Sequence, residues 1–283
     1  MTAPYRNSRK VASDTEVREV VASAQVRSSL RIASEYHHHH AAEILARTPG
    51  LRDDVIARLT TPRAIPVGIR RSGRLGIPSR ELNRGLRSSF ADGDWTFEAT
   101  VEDGVIRSSR PGEAAAVEGF DLASYDEMAN LVAMWQLCFG RRAIREGESA
   151  WGRFVRERGL ETEGASISTR LQAGQLAEPR TRPTVLGEIQ FGNWGLLYRD
   201  LLKLVAADLQ LDIDLFIYIT ATESLSAALS ASTVNYLNAL RNGLTSFANL
   251  IRVPVWLIGL DLPTDFATLP REDVSVQLTL TAS

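Results

Sequence analysis

Short apolar runs alternate with amphipathic stretches through the C-terminal half of the chain. In TVLGEIQF, Val185, Gly187, Ile189 and Phe191 share one face of a strand, and Thr184, Leu186, Glu188 and Gln190 share the other, because side chains alternate with period two. WGLLYRDLLKLVAADLQL follows as a helix, with Leu197, Leu201, Leu204 and Val205 on one side and Arg199, Lys203 and Gln210 opposite. IDLFIYITA is a continuous apolar run of the kind that forms a strand buried on both faces. A helix through VNYLNALRNGLTSFANLI, a second buried strand in VPVWLIGLD and a last candidate strand in VSVQLTLTA complete the order. This alternation predicts a three-layer α/β arrangement with a mixed sheet flanked by helices.

Upstream, SDTEVREVVASAQVRSSLRIASEY carries Val17, Val20, Val21 and Ala24 at helical spacing behind a Ser or Asp cap. AAEILARTPGLRDDVIARL reads as a helix in two pieces, broken at Pro49-Gly50. IPVGIRR and WTFEATVED are short strand candidates, and SYDEMANLVAMWQLCFGRRAIREGESAWGRFVRERGL is one helix interrupted near Gly140, or two. No internal repeat and no Gly-Ser linker is present. The expected organisation is a single domain over residues 1–283, with a mainly helical N-terminal part over 1–62 and an αβ core over 160–283.

Composition acts mostly by exclusion. All four histidines are His37, His38, His39 and His40, so a dispersed His base, triad or zinc site is not available. The run itself reads as a surface tract. Only Lys10 and Lys203 are lysines and neither follows a glycine, which removes a phosphate-binding Gly-Lys loop. The single Cys138, in LVAMWQLCF, reads as a small buried hydrophobe in a reducing compartment. No stretch approaches the roughly 20 apolar residues of a membrane helix, and no signal peptide is apparent, so the expected location is cytoplasmic. What remains for chemistry is carboxylates, amides, hydroxyls and a hard cation such as Mg²⁺.

Net charge is −2, yet its distribution is uneven: Arg63, Arg70, Arg71, Arg74, Arg80, Arg84 and Arg87 face one acid, Glu81, before the sign reverses between Asp92 and Asp121. An Arg segment punctuated by Gly and Pro suits phosphate contacts; the plainer reading is that arginine is this chain's surface cation.

Glu188 and Gln190 pose the sharpest question, since a carboxylate and an amide side by side on an apolar strand need a partner or an ion. The segment EIQFGNWGLLYRDLLKL resembles the type II restriction endonucleases typified by BglII and BstYI, a branch of the PD-(D/E)XK nuclease superfamily in which Gln stands for the usual Lys. The resemblance is best over roughly Thr184 to Leu260. It implies a three-layer restriction-endonuclease-like core and a Mg²⁺-dependent homodimer that cuts both strands of a short palindromic site in double-stranded DNA. A companion DNA methyltransferase would be its genetic partner. Glu188 would supply a metal carboxylate, the Ile189 backbone carbonyl a second oxygen, and Gln190 would orient the attacking water without a charge. Lys203, on the polar face of its helix, reads as solvated.

The resembled enzymes carry an Asp on the strand just before the Glu-x-Gln strand, and this chain has none between Asp126 and Asp200. Glu178, at close to hairpin distance, is assigned the role, with Glu163 in reserve and Glu146 or Glu148 as helix-borne contributors. Arg70, Arg71, Arg74, Arg80, Arg84, Arg87 and Asn193 are the candidate DNA contacts, although a turn residue is the commoner explanation of Asn193. Trp194 and Trp256 read as core aromatics, and residues 220–233 as a polar loop. Two rival readings are a DNA-binding protein that has lost catalysis, and a repair or nicking nuclease of the same superfamily.

Overall fold

The computed structural model describes residues 24–69, 74–91, 93–109, 119–175, 177, 179–229, 233–270 and 272–273. In chain order, β1 (Ala24–Ser28) and β2 (Arg31–His38) precede α1 (Ala41–Arg47), α2 (Leu51–Thr60), β3 (Arg63–Ile69), β4 (Leu75–Gly76) and α3 (Ser79–Ser88). Next come β5 (Phe97–Glu102), β6 (Val105–Ser109), β7 (Leu122–Ser124), α4 (Glu127–Phe139), α5 (Gly147–Arg158) and α6 (Glu161–Gln172). The last part holds β8 (Val185–Ile189), α7 (Trp194–Asp208), β9 (Leu215–Ala221), α8 (Glu223–Leu229), α9 (Tyr236–Asn238) with a π-helical continuation over Ala239–Thr245, β10 (Val255–Asp261) and β11 (Glu272–Asp273).

The central sheet has the order β2-β10-β9-β8-β7, parallel between β10, β9 and β8 and antiparallel at both ends. Period-two alternation divides its side chains between two cores. Leu122, Val185, Ile189, Ile217 and Trp256 point into a core shared with α1, α2, α3 and the antiparallel sheet β11-β1-β3-β4. Ala123, Leu186, Phe216, Tyr218 and Leu257 point into the other, which α7 covers with Leu197, Leu201 and Leu204. These are the three layers predicted from the alternation. A separate cluster containing Leu131, Met134, Cys138, Phe154 and Ile167 holds α4, α5 and α6 together, and Cys138 is buried in it.

The expected helix over 13–36 is corrected where the structure describes it. Residues 24–38 are two strands: β1 alternates buried and exposed positions strictly and pairs with β3, and β2 pairs with β10. Local helical spacing gave way to non-local pairing, which decides strand identity more than intrinsic preference does. The two-piece helix is present as α1 and α2, separated at Gly50 with φ +80°. The long helical stretch is two helices, as one of the two readings had it, and α6 is an addition. Glu223–Leu229 is a short helix where a loop was expected. The candidate strand over 274–282 lies outside the described residues.

Candidate active site

β7 runs antiparallel to β8 with Leu122 opposite Gly187 and Ala123 opposite Leu186. Continuing that register one step sets Asp121 opposite Glu188. The two carboxyl groups come within hydrogen-bonding reach of each other, and Asp121 Oδ2 also accepts from the Ile189 N–H at 2.8 Å. Burial pushes the Asp121 carboxyl above its usual range, against the pull of Arg87 and the Ile189 N–H. Burial, and then the charge of Asp121, pushes Glu188 well above its own, with Lys203 acting the other way. Two desolvated acids at this separation call for a shared proton or a cation.

Gln190 lies one alternation further along the Glu188 face. Its Nε2 donates to Asp200 of α7 at 2.6 Å, and its Oε1 accepts from the Gly192 N–H at 2.7 Å. The reverse amide orientation would face acceptor with acceptor and donor with donor, so the network fixes the side chain. Asp200 is fully buried and also accepts from Arg199 at 3.0 Å. Burial, followed by the charges of Asp200 and Glu188, raises the phenol of Tyr218 on β9 well above its usual value, which places that ring in the same acidic neighbourhood.

Cations enclose the carboxylates. Arg87 of α3 pairs with Glu98 and reaches Asp121 at 3.4 Å. Lys203 of α7 pairs with Glu188 and donates to the Gly119 carbonyl at 2.8 Å. From α3, Asn83 Nδ2 donates to the Ile189 carbonyl at 2.9 Å, while its own Oδ1 is buried with no hydrogen-bond partner among the described residues.

The model of the restriction endonuclease BglII/BglIII family matches residues 33–260, most of the chain. This protein belongs to the BglII/BglIII restriction endonuclease family. The match places it among nucleases that cleave DNA sequence-specifically. Its solved neighbours include BglII complexed with a DNA 16-mer, 16% identical, covering 81% of this chain and 78% of that one at a TM-score of 0.45. Free BglII, also 16% identical, covers 81% and 79% at a TM-score of 0.43. No curated protein matches the chain in sequence.

For a BglII/BglIII-family site, the geometry rearranges several sequence-based assignments. Glu178 lies outside the described residues, and the acid that the structure sets against Glu188 is Asp121. Glu146 and Glu148 are exposed at the start of α5, and Glu163 lies in the first turn of α6. The Ile189 carbonyl is engaged by Asn83. Gln190 is tied at both ends of its amide. Lys203 is the clearest correction: it reaches in to the sheet while Arg199 and Gln210 of the same polar face stay exposed, and its side chain is 16% exposed. Arg87 is likewise committed to carboxylates, whereas Arg74, Arg80 and Arg84 are exposed. Arg80, Arg84 and Arg87 recur at i, i+4 and i+7, so one face of α3 carries all three. Arg70 and Arg71 lie outside the described residues. Asn193 caps α7, accepting from the Gly195 N–H at 3.1 Å, which is the turn-residue reading.

Asp200 was missed because a charged residue inside an amphipathic helix ordinarily reads as solvent-facing. Replacing it with Ala leaves the Gln190 N–H buried without its acceptor, a cost of about 1–3 kcal/mol, to be seen in urea denaturation. Losing a partner that orients a site residue is expected to lower the single-turnover cleavage rate about 10- to 100-fold. Asp200→Asn, which retains an acceptor, should recover part of both losses; an unchanged rate in Asp200→Ala would remove Asp200 from the positioning network.

Proposed function

We propose that this chain is a Mg²⁺-dependent type II restriction endonuclease, one nuclease domain in a homodimer, hydrolysing both strands of a short palindromic duplex site. The observation that carries the reading is Asp121 facing Glu188 across the β7–β8 pair, with Gln190 on the same face as Glu188. Two carboxylates suit Mg²⁺, which commonly binds through one or two protein acids and completes its shell with phosphate oxygens and water. The orphaned Asn83 oxygen and the mutual repulsion of the two acids fit a site that takes a cation. Asp121 and Glu188 would hold the ion; among the described residues no three His, Cys, Asp or Glu side chains converge as a group that would hold it without further oxygens. The ion would polarise the scissile phosphate and supply a water nucleophile near neutral pH.

The chain's own residues orient the rest. Gln190, held by Asp200 and the Gly192 N–H, presents a fixed amide beside Glu188. Exposed Arg80 and Arg84 extend the site along α3 with two charges for the DNA backbone. Two-fold symmetry of the dimer would match that of a palindrome. The enzyme would work in the cytoplasm beside a companion DNA methyltransferase; among the described residues no helix is long and apolar enough to cross a membrane.

Digestion of a large phage DNA tests the reading directly. Discrete fragments with Mg²⁺ and intact DNA with a chelator are the expected pair of results, and mapping the fragment ends gives the site. Salt-sensitive DNA binding with no cleavage at any Mg²⁺ concentration would establish instead a DNA-binding protein that has lost catalysis.

A further inference from the structure

Lys203 is one of only two lysines in the chain, and the structure draws its side chain inward. Its Nζ lies 4.4 Å from the centre of the Phe120 ring, donates to the Gly119 carbonyl and ends in an ion pair with Glu188. Arg87 is shared between Glu98 and Asp121, whereas Lys203 is seated on Glu188 and Arg199 on Asp200. In the DNA-free site Lys203 is therefore the cation that offsets Glu188. A divalent ion arriving on Glu188 and Asp121 meets the Lys203 ammonium at the same carboxylate, and in a partly desolvated site that repulsion is strong. DNA supplies what the balance then lacks, an anionic phosphate within reach of a displaced ammonium. A compact point charge on a flexible four-carbon stem suits such a move.

We propose that Lys203 is the resident counter-ion of Glu188 in the DNA-free protein and passes to a DNA phosphate oxygen when a divalent ion takes its place. Ion binding and DNA binding then strengthen one another, by equal factors because linkage is reciprocal. This deepens the metal-dependent nuclease reading and rests on it. It gives Lys203 a working role although position 190 of the strand is Gln.

Calorimetric titration of Ca²⁺ into the full chain tests it, using the native protein, Lys203→Met, Lys203→Gln, Lys203→Arg and Glu188→Gln, each with and without a duplex DNA fragment at constant ionic strength. The two neutral variants provide for one of them failing to fold. Without DNA, a neutral variant is expected to bind Ca²⁺ about tenfold tighter than the native protein, Lys203→Arg to stay close to native, and Glu188→Gln to lose binding. DNA should tighten Ca²⁺ binding to the native protein about tenfold and to the neutral variant far less. Equal Ca²⁺ affinity in the native protein and a folded neutral variant would overturn the counter-ion role; if Glu188→Gln still abolished binding, the metal reading would stand. No Ca²⁺ binding by any form, even with DNA, would overturn both.

Discussion

Asp121→Asn is expected to abolish DNA cleavage to within measurement, a loss of about a thousandfold or more. Stabilisation of transition-state charge by a bound ion is worth several kcal/mol, and each 1.36 kcal/mol is about a factor of ten in rate. The amide matches the carboxylate in shape, and its oxygen still accepts from the Ile189 N–H, so the β7–β8 register survives. The charge is what disappears. The same variant carries a signature of opposite sign in stability. Asp121 and Glu188 both have raised pKa values in the folded chain. A carboxyl raised in this way contributes stability that is full below its unfolded value, near pH 4, and is lost as pH rises through the folded value. Ion-free native protein should therefore weaken from about pH 4 upward, and Asp121→Asn should flatten that slope. At pH 8 in chelator the variant is expected to melt about 2–4 °C higher, corresponding to roughly 1 kcal/mol. Cleavage within tenfold of native would move the metal acid elsewhere, with Glu178 next to test.

The difference between what was legible and what was not follows sequence separation. β8, α7, β9 and β10 were readable because each declares itself locally, by a continuous apolar run or by one apolar helical stripe. Glu188 and Gln190 were visible for the same reason, as polar residues in a strand where both faces are buried. Asp121 was not, because α4, α5 and α6 are inserted between β7 and β8. A search at hairpin distance from Glu188 falls in the α6–β8 connection and reaches Glu178. The short FDLAS stretch holding Asp121 has too few residues to announce a strand, and its pairing exists only in the assembled sheet.

Lys203 and Asp200 failed in a different way. A polar helix position was equated with a solvent position, although these two side chains reach the part of the sheet where Glu188 and Gln190 interrupt the apolar surface. Polar residues on β8 and on α7 satisfy one another, so each makes sense only when the other is known. The same dependence hid β1 and β2: RIASEYHH has no clean alternation of its own and becomes a strand by pairing with β10.

That pairing leads to the second large effect, Trp256→Ala. Trp256 sits on β10, fully buried, in the same core as Leu122, Val185 and Ile189, beneath the strands that carry Asp121 and Glu188. Its Nε1 donates to Glu35 of β2 at 3.0 Å and its ring stacks on His37 with centroids 6.3 Å apart. Truncation opens a cavity against a rigid sheet, at a cost of about 3–5 kcal/mol, and leaves the β2–β10 edge without its side-chain tie. At roughly 2–4 °C per kcal/mol for a chain approaching this size, the melting temperature should fall by about 10 °C. Trp256→Phe keeps most of the volume and loses the indole donor, so its cost should be a fraction of that. Because the damage is to the layer behind the site, residual folded protein at low temperature should still cleave, which separates this variant from Asp121→Asn. A melting temperature unchanged in Trp256→Ala would mean that this core does not hold the catalytic strands in place.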